Sequence, residues 1–132
     1  MQATLFQRAS IEAPKVVLVD DDRPVLVSLR FFLETEGFDV EAFESGMDLL
    51  AQPTLPVKGC FVIDYHMPAM NGLELLAQLR DRRSLLPAFL ITGHPDLAIE
   101  QKAAHAGVLQ VFCKPHLGGA LVQGIRKALR EH

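Results

Sequence analysis

Five short apolar runs, each of strand length, recur along the chain and alternate with segments in which apolar residues follow helical spacing. The runs are KVVLVD (15–20), FDVEAF (38–43), GCFVID (59–64), AFLIT (88–92) and VLQVF (108–112). Stretches such as VVLV and CFVI are apolar at successive positions, which is typical of parallel strands that are covered on both faces. The order, strand then helix repeated five times, therefore predicts an α/β protein.

Local signals at the ends of the helical segments support this interpretation. The first segment has Pro24 in its first turn and closes on Gly37, a common helix stop, and Asp22 is predicted to cap it. The second has Ser45 three residues before Asp48, a variant of the capping box. Right-handed crossovers between parallel strands give a doubly wound sheet with five helices, for which the common strand order is 2-1-3-4-5.

Length and composition fit one folded domain. The chain has 132 residues, of which 49% are hydrophobic and 22% are charged, as in globular rather than disordered proteins. The net charge of −3 gives no sign of a nucleic-acid surface, and no apolar stretch is long enough to span a membrane. Residues 1–14 lack the apolar core of a secretory signal and are predicted to be a flexible leader before a domain over residues 15–131. Cys60 and Cys113 are predicted to be buried free thiols in a reducing cytoplasm.

Polar side chains follow the predicted strands at the edge where a doubly wound sheet binds its ligands. They are Asp20 and Asp21 after strand 1, Asp64 at the end of strand 3, Thr92 at the end of strand 4 and Lys114 after strand 5. Strands 1 and 3 are neighbours in the predicted order, so their aspartates should lie close together. Two carboxylates about 5 Å apart repel by roughly 3 kcal/mol at an effective dielectric near 20. Such a group requires raised pKa values or a cation, and an all-oxygen ligand set at a wet edge favours Mg²⁺.

Each of these residues alone has an ordinary explanation. An aspartate after a strand often bonds to turn amides, Thr92 before Gly93 fits a turn, and Lys114 fits a solvated surface position. Their occurrence at four strand ends on one edge is the feature that indicates a functional site.

The stretches LVDDDRP, VIDYHMPAMNG, LITGH and FCKP, in this order, resemble the receiver domain of two-component response regulators, the CheY-like family. The resemblance covers residues 15 to 131, and ITGHPD is similar to FixJ-type receivers. It implies that Asp64 accepts a phosphoryl group from a sensor histidine kinase or a phosphotransfer protein in a Mg²⁺-dependent reaction. The chain would then be a switch that assists its own phosphorylation and dephosphorylation, not an enzyme with turnover.

The resemblance also implies the roles of the residues around Asp64. Asp20, Asp21, Asp64 and the backbone carbonyl of His66 would hold Mg²⁺, with Asp20 acting largely through water. Thr92 and Lys114 would each bond a phosphoryl oxygen, and the bond from Lys114 to Pro115 would be cis. Protein partners would dock on the face formed by the fourth helix, the fifth strand and the fifth helix, where a homodimer could also form on phosphorylation.

The chain departs from the family at the position three residues before the lysine, where an aromatic switch residue is usual. This position holds Val111, while the neighbouring Phe112 should face the other side of the sheet and pack under a helix. Coupling from Thr92 to the docking face therefore stays open. His66 and His94, each two residues after a key site residue, are predicted to be exposed at the rim.

Two other functions also stay open. A pseudo-receiver would signal without phosphate, although such proteins usually lose the acceptor or the acid pair, and this chain has both. A haloacid dehalogenase-type phosphatase also uses a strand-end aspartate with Mg²⁺, but it places an acid/base aspartate where this chain has His66.

Overall fold

The computed structural model describes residues 13–114 and 118–131, in which strands and helices alternate along the chain. In chain order the elements are β1 (Lys15–Val19), α1 (Arg23–Thr35), β2 (Asp39–Phe43), α2 (Gly46–Leu50), β3 (Gly59–Asp64), α3 (Gly72–Asp81), β4 (Ala88–Thr92), α4 (Leu97–His105), β5 (Gln110–Cys113) and α5 (Gly118–Glu131). All neighbouring strands pair in parallel, in the order β2-β1-β3-β4-β5. The predicted fold class and strand order are therefore confirmed.

The sheet separates two apolar cores because successive residues of a strand point to opposite faces. Val16 and Leu18 of β1 face the core shared with α1 and α5, whereas Val17 and Val19 face the core shared with α2, α3 and α4. All four side chains are fully buried, and so is every residue of β3 to within a few per cent. This two-sided burial, at about 1.5–3 kcal/mol for each large side chain, explains why the central strands are apolar at successive positions.

Side chains at the helix starts satisfy the free backbone N–H groups there. Asp22 caps α1 as predicted, with its side chain accepting a hydrogen bond of 3.3 Å from the first turn, and Ser45 accepts one of 3.0 Å from Asp48 at the start of α2. A complete capping box starts α3, where Asn71 and Glu74 exchange bonds of 2.9 Å each. That box was not singled out in the sequence, although its Asn-x-x-Glu spacing is a known signal.

The fifth strand differs from its prediction. It runs from Gln110 to Cys113, two residues later than expected at its start, and Leu109 before it is half exposed. The prediction that Cys113 is buried is wrong, because β5 is an edge strand in which only Phe112 is buried. Cys60 is buried as predicted, and this burial raises the pKa of its thiol to about 12.

Several predictions concern residues outside the described ranges. Most of the leader falls there, at residues 1–12, and so does the peptide bond to Pro115. Within residues 13–114 and 118–131, no helix has the length and apolar character needed to cross a lipid bilayer.

Candidate functional site

The register of the sheet brings the predicted site residues together at the carboxyl ends of the strands. Val19 of β1 pairs with Ile63 of β3, so Asp20 and Asp64 each lie one residue further along neighbouring strands. Backbone bonds of 2.8 Å then connect the ends of the next strands, from the Tyr65 N–H to the Ile91 carbonyl and from the Lys114 N–H to the Thr92 carbonyl. The four strand ends named in the sequence analysis therefore meet, as predicted from parallel pairing alone.

Three carboxylates form a compact acidic cluster at this edge. Asp20, Asp21 and Asp64 each offer an oxygen, and these oxygens lie within 4.8 Å of one another. Asp20 is fully buried and Asp64 is 3% exposed, whereas Asp21 is open to solvent. One oxygen of Asp20 accepts a 2.9 Å hydrogen bond from the Asp22 N–H, which fixes the turn that follows β1.

Lys114 is the cation that faces this cluster. Its Nζ lies 2.8 Å from Asp20 Oδ2 and 3.3 Å from Asp64 Oδ1, and its side chain is 17% exposed. Among the residues that the structure describes, Asp20 Oδ2 has no polar partner besides this ammonium. Three ionised carboxylates and one ammonium give the cluster a formal charge of −2. The negative charge is therefore only partly neutralised by protein groups.

The protonation behaviour of the site reflects this imbalance. Burial and, after it, the charge of Asp20 raise the pKa of Asp64 to about 7, because Lys114 only partly opposes the shift. Burial works against the charge of Lys114, but bonding and attraction to Asp20 and Asp64 outweigh it, and the pKa of Lys114 is raised. A buried carboxyl group whose pKa lies near 7 beside a second carboxylate is typical of functional sites.

The donor set fits a hard divalent cation. Mg²⁺ binds oxygen ligands, uses few protein carboxylates and keeps several waters. Two buried carboxylates and one exposed carboxylate, with an oxygen of Asp20 whose one polar partner among the described residues is the Lys114 ammonium, match that preference. A cation among them would also lower the pKa of Asp64 towards its ordinary range. His66 follows Asp64 by two residues, and the role of its backbone carbonyl as a further ligand stays a prediction.

Thr92 and two histidines complete the rim. Thr92 is fully buried, and its hydroxyl oxygen accepts a 3.1 Å hydrogen bond from the His94 N–H, which holds the start of the loop before α4. His66 and His94 are both exposed, as predicted, and their ring centroids lie 6.3 Å apart. The Tyr65 ring packs against the edge of His66 at 4.7 Å. The three rings thus form a row along the chain segments that directly follow Asp64 and Thr92.

The loop after Asp64 is held close to the site by Gly72. The Gly72 N–H donates to the Tyr65 carbonyl at 2.9 Å, and a Cβ atom at Gly72 would lie 2.6 Å from the Asp64 carbonyl oxygen. Only glycine allows this approach of backbone to backbone. The capping box that begins with Asn71 starts α3 at the same point, so local sequence fixes the path of the chain directly after Asp64.

Val111 and Phe112 face opposite sides of the sheet, as the sequence predicts. Val111 is partly buried and packs against the core shared with α2, α3 and α4. Phe112 is 6% exposed and lies in the opposite core, with its ring centroid 5.8 Å from that of Phe89. Phe112 therefore does not replace an aromatic side chain at position 111.

Residues 16–126 match the family model of the response regulator receiver domain, and the chain belongs to this family. It is 33% identical over 127 residues to the response regulator protein TodT of Pseudomonas putida, a match that covers 96% of this chain and 56% of TodT. It is 36% identical over 113 residues to the transcriptional regulatory protein FixJ of Rhizobium meliloti, with coverage of 86% and 55%. The chain therefore spans about half the length of these relatives.

Solved structures agree with this assignment. The crystal structure of FixJ-N matches with a TM-score of 0.82 and 34% sequence identity, covering 90% of this chain and 95% of that one. A CheY-like receiver domain protein from Methanospirillum hungatei matches with a TM-score of 0.81 and 28% identity, again over 90% and 95% of the two chains. The resemblance identified from the sequence is confirmed.

Proposed function

We propose that this receiver domain is a phosphorylation-dependent switch in which Asp64 is the phosphoacceptor. The observation that carries the proposal is the position of the Asp64 carboxylate, which lies against two further carboxylates and 3.3 Å from the Lys114 ammonium. This arrangement offers a nucleophilic oxygen, a cation-binding group and a fixed positive charge within one partly buried space. Membership of the receiver family supports the same role.

The chemistry that we propose is phosphoryl transfer from a phosphohistidine. An oxygen of Asp64 forms the new P–O bond while the P–N bond of the donor breaks and the imidazole leaves. Such a transfer requires positioning and neutralisation of the phosphoryl oxygens more than covalent assistance. Lys114 would pair with one of these oxygens, and the Thr92 hydroxyl would donate a hydrogen bond to another. Asp20, Asp21, Asp64 and the His66 carbonyl would hold Mg²⁺, which supplies further positive charge when it is bound.

Phosphorylation would then change the loop between β4 and α4. The acyl phosphate adds about −1.5 to −2 of charge beside Thr92, whose hydroxyl now accepts a bond from the His94 N–H. Thr92 would turn its hydroxyl towards the phosphoryl group, and the loop that it holds would move with it. Because Val111 is not aromatic, we propose that this movement reaches the docking face through the loop and α4 and not through a ring on β5.

The partners follow from this role. Receiver domains of response regulators usually pair with histidine kinases and with output domains. We propose a sensor histidine kinase or phosphotransfer protein as the donor, in the cytoplasm, and an output protein or a second copy of the chain on the face of α4, β5 and α5. Leu97, the first residue of α4, is 67% exposed, and Leu109, directly before β5, is 50% exposed, which provides apolar surface next to these elements.

Intact-mass analysis after treatment with acetyl phosphate and Mg²⁺ tests the proposal. The wild-type chain should gain one phosphoryl group, and Asp64→Asn should gain none. Asp81→Asn is a matched control, since Asp81 is exposed at the end of α3, and it should be labelled like the wild type. Removal of Mg²⁺ with a chelator should abolish the gain. Labelling of Asp64→Asn, or labelling of neither form, would contradict the assignment.

A further inference from the structure

A groove lies at the amino ends of the strands, which is the end of the sheet opposite the phosphoacceptor. Residues 53–59 and 82–87 line it, and it encloses about 810 Å³; we call it the basal groove. These two loops lead into β3 and β4, so the groove lies at the amino ends of the strands. Gly59 starts β3 and Asp64 ends it, a separation of five steps of about 3.3 Å each. The basal groove therefore shares no residue with the phosphoacceptor site.

Apolar side chains project from both sides of the groove. Val57 is 85% exposed and Leu85 is 82% exposed, which makes them the most exposed large hydrophobic residues of the described part of the chain. Three prolines also line the groove, namely Pro53, Pro56 and Pro87. Proline has a fixed φ angle, so these loops lose little conformational freedom when a ligand binds.

The charged residues of the groove all have one sign. Lys58, Arg82 and Arg83 line it, and no acidic residue does. None of the three forms an ion pair with a carboxylate of residues 13–114 and 118–131. Arg82 is held in place because its guanidinium donates bonds of 2.9 Å to the Leu50 and Gln52 carbonyls. Carbonyl partners fix the guanidinium without neutralising its charge, so the groove has positive charge to offer to a partner.

A buried hydroxyl in the groove wall also lacks a partner. Ser84 is 8% exposed, and its Oγ makes no hydrogen bond with any described residue. The loop around it is rigid, because Arg80 donates to the carbonyls of Ser84 at 2.9 Å and of Leu86 at 2.7 Å. This hydroxyl has almost no accessible surface, so the wall gives the groove a preformed shape and not a hydrogen-bond donor.

We propose that the basal groove docks an extended segment of a partner protein in which acidic residues alternate with apolar ones. The cations would pair with the acidic side chains, and Val57 and Leu85 would cover the apolar ones. Charge distinguishes this occupant from segments of the chain itself. Residues 1–12 carry one arginine and one glutamate, so their side chains have no net charge to match the groove.

The acidic cluster of a second copy is also a poor match for the groove. This cluster lies at the opposite end of the strands, so copies joined through it would form an open chain and not a closed dimer. Because the groove and the phosphoacceptor site are at opposite edges, docking should not depend on phosphorylation. The basal groove would therefore hold its partner in both the phosphorylated and the unphosphorylated state, while contacts on the face of α4, β5 and α5 change.

Fluorescence anisotropy with a labelled peptide tests the proposal on the full chain. The probe is a fluorescein-labelled peptide of about twelve residues in which glutamate and leucine alternate. It should bind saturably, and Lys58→Glu/Arg83→Glu should weaken binding at least tenfold. Leu85→Ser should weaken it several-fold. Treatment with acetyl phosphate and Mg²⁺ should leave the affinity unchanged, so failure here is separate from failure of the phosphoacceptor assignment.

Matched controls test whether the peptide binds at the basal groove itself. Lys102→Glu/Lys127→Glu alters two other exposed lysines and changes the net charge by the same amount, so it should bind like the wild type. Peptides with glutamine for glutamate, or serine for leucine, should each bind several-fold more weakly. If the double charge reversal fails to fold, Lys58→Gln/Arg83→Gln should still lose several-fold.

Four results would overturn the proposal. Equal loss in the Lys102→Glu/Lys127→Glu variant would mean non-specific attraction. Equal binding of the glutamine or the serine peptide would mean that charge or apolar surface is not recognised. Full displacement by inorganic phosphate at matched ionic strength would mean a small-anion site. Self-association that disappears in the groove variants, measured by analytical ultracentrifugation, would mean that a second copy is the occupant.

Discussion

Replacing Asp64 with asparagine should stabilise the fold when no divalent cation is present. The change keeps the shape of the side chain and removes a charge that is 3% exposed and faces the carboxylate of Asp20. Lys114 lies 2.8 Å from Asp20 and 3.3 Å from Asp64, so a single ammonium serves two buried carboxylates. Ionisation of Asp64 therefore lowers the free energy of unfolding of the wild type, and protonation of Asp64 removes this effect.

The pKa of Asp64 gives the size and the direction of this effect. Burial and Asp20 raise it from an ordinary 3.8 to about 7, so between these values the folded state holds a proton that the unfolded chain has lost. The contribution of Asp64 to the free energy of unfolding is therefore fully present below pH 3.8 and is lost as pH rises towards 7. At about 1.4 kcal/mol per pH unit, the loss between pH 5 and pH 7 is roughly 2 kcal/mol. The asparagine variant should lack this dependence.

Urea denaturation in the presence of a chelator, at several pH values from 5 to 8, measures the difference. Asp64→Asn should gain over the wild type as pH rises, and exposed titratable groups cancel because both proteins carry them. Asp81→Asn, an exposed change of the same kind, should stay within about 0.5 kcal/mol of the wild type. Saturating Mg²⁺ should recover much of the wild-type loss by mass action. A stability difference between Asp64→Asn and the wild type that is the same at pH 5 and pH 8 would refute the reasoning.

Three further predictions follow from the same site. Mg²⁺ should raise the melting temperature of the wild type, and Asp21→Asn should reduce that shift because it removes one of the three clustered carboxylates; an equal shift would contradict the cation site. In the presence of a chelator and near neutral pH, Lys114→Ala should lower the free energy of unfolding in urea titrations by about 3 kcal/mol, since two buried carboxylates lose their counter-charge. An unchanged free energy of unfolding would argue against this ion pair. Gly72→Ala should cost more than about 2 kcal/mol, because its Cβ would lie 2.6 Å from the Asp64 carbonyl oxygen, whereas Gly93→Ala meets nothing within 4 Å and should be nearly neutral; similar effects of the two changes would refute the close approach.

The arrangement of the site could be predicted from the sequence because it follows from strand pairing. In a parallel sheet the carboxyl ends of all strands share an edge, so residues that follow apolar runs must meet there. Asp20 and Asp64 are brought together in this way, and the strict alternation of a strand also separates Val111 from Phe112. Both inferences depend on periodicity and not on side-chain detail.

Features that depend on loops and edges were not predicted. Cys113 lies in an apolar run, but its exposure follows from the outer position of β5, which the run alone does not reveal. The basal groove combines two loops that are separated by about one helix and one strand, and neither loop has a periodic pattern. No local signal relates Lys58 to Arg83.

The backbone bonds between strand ends have a practical consequence for protein engineering. Since the Tyr65 and Lys114 N–H groups donate to carbonyls of β4, the main chain at the acceptor, the hydroxyl and the ammonium is held without help from any of those three side chains. Each of the three could therefore be exchanged for an unnatural analogue in turn, and the main chain at the remaining two would keep its position. Such a framework allows reactivity to be dissected atom by atom on an unchanged scaffold.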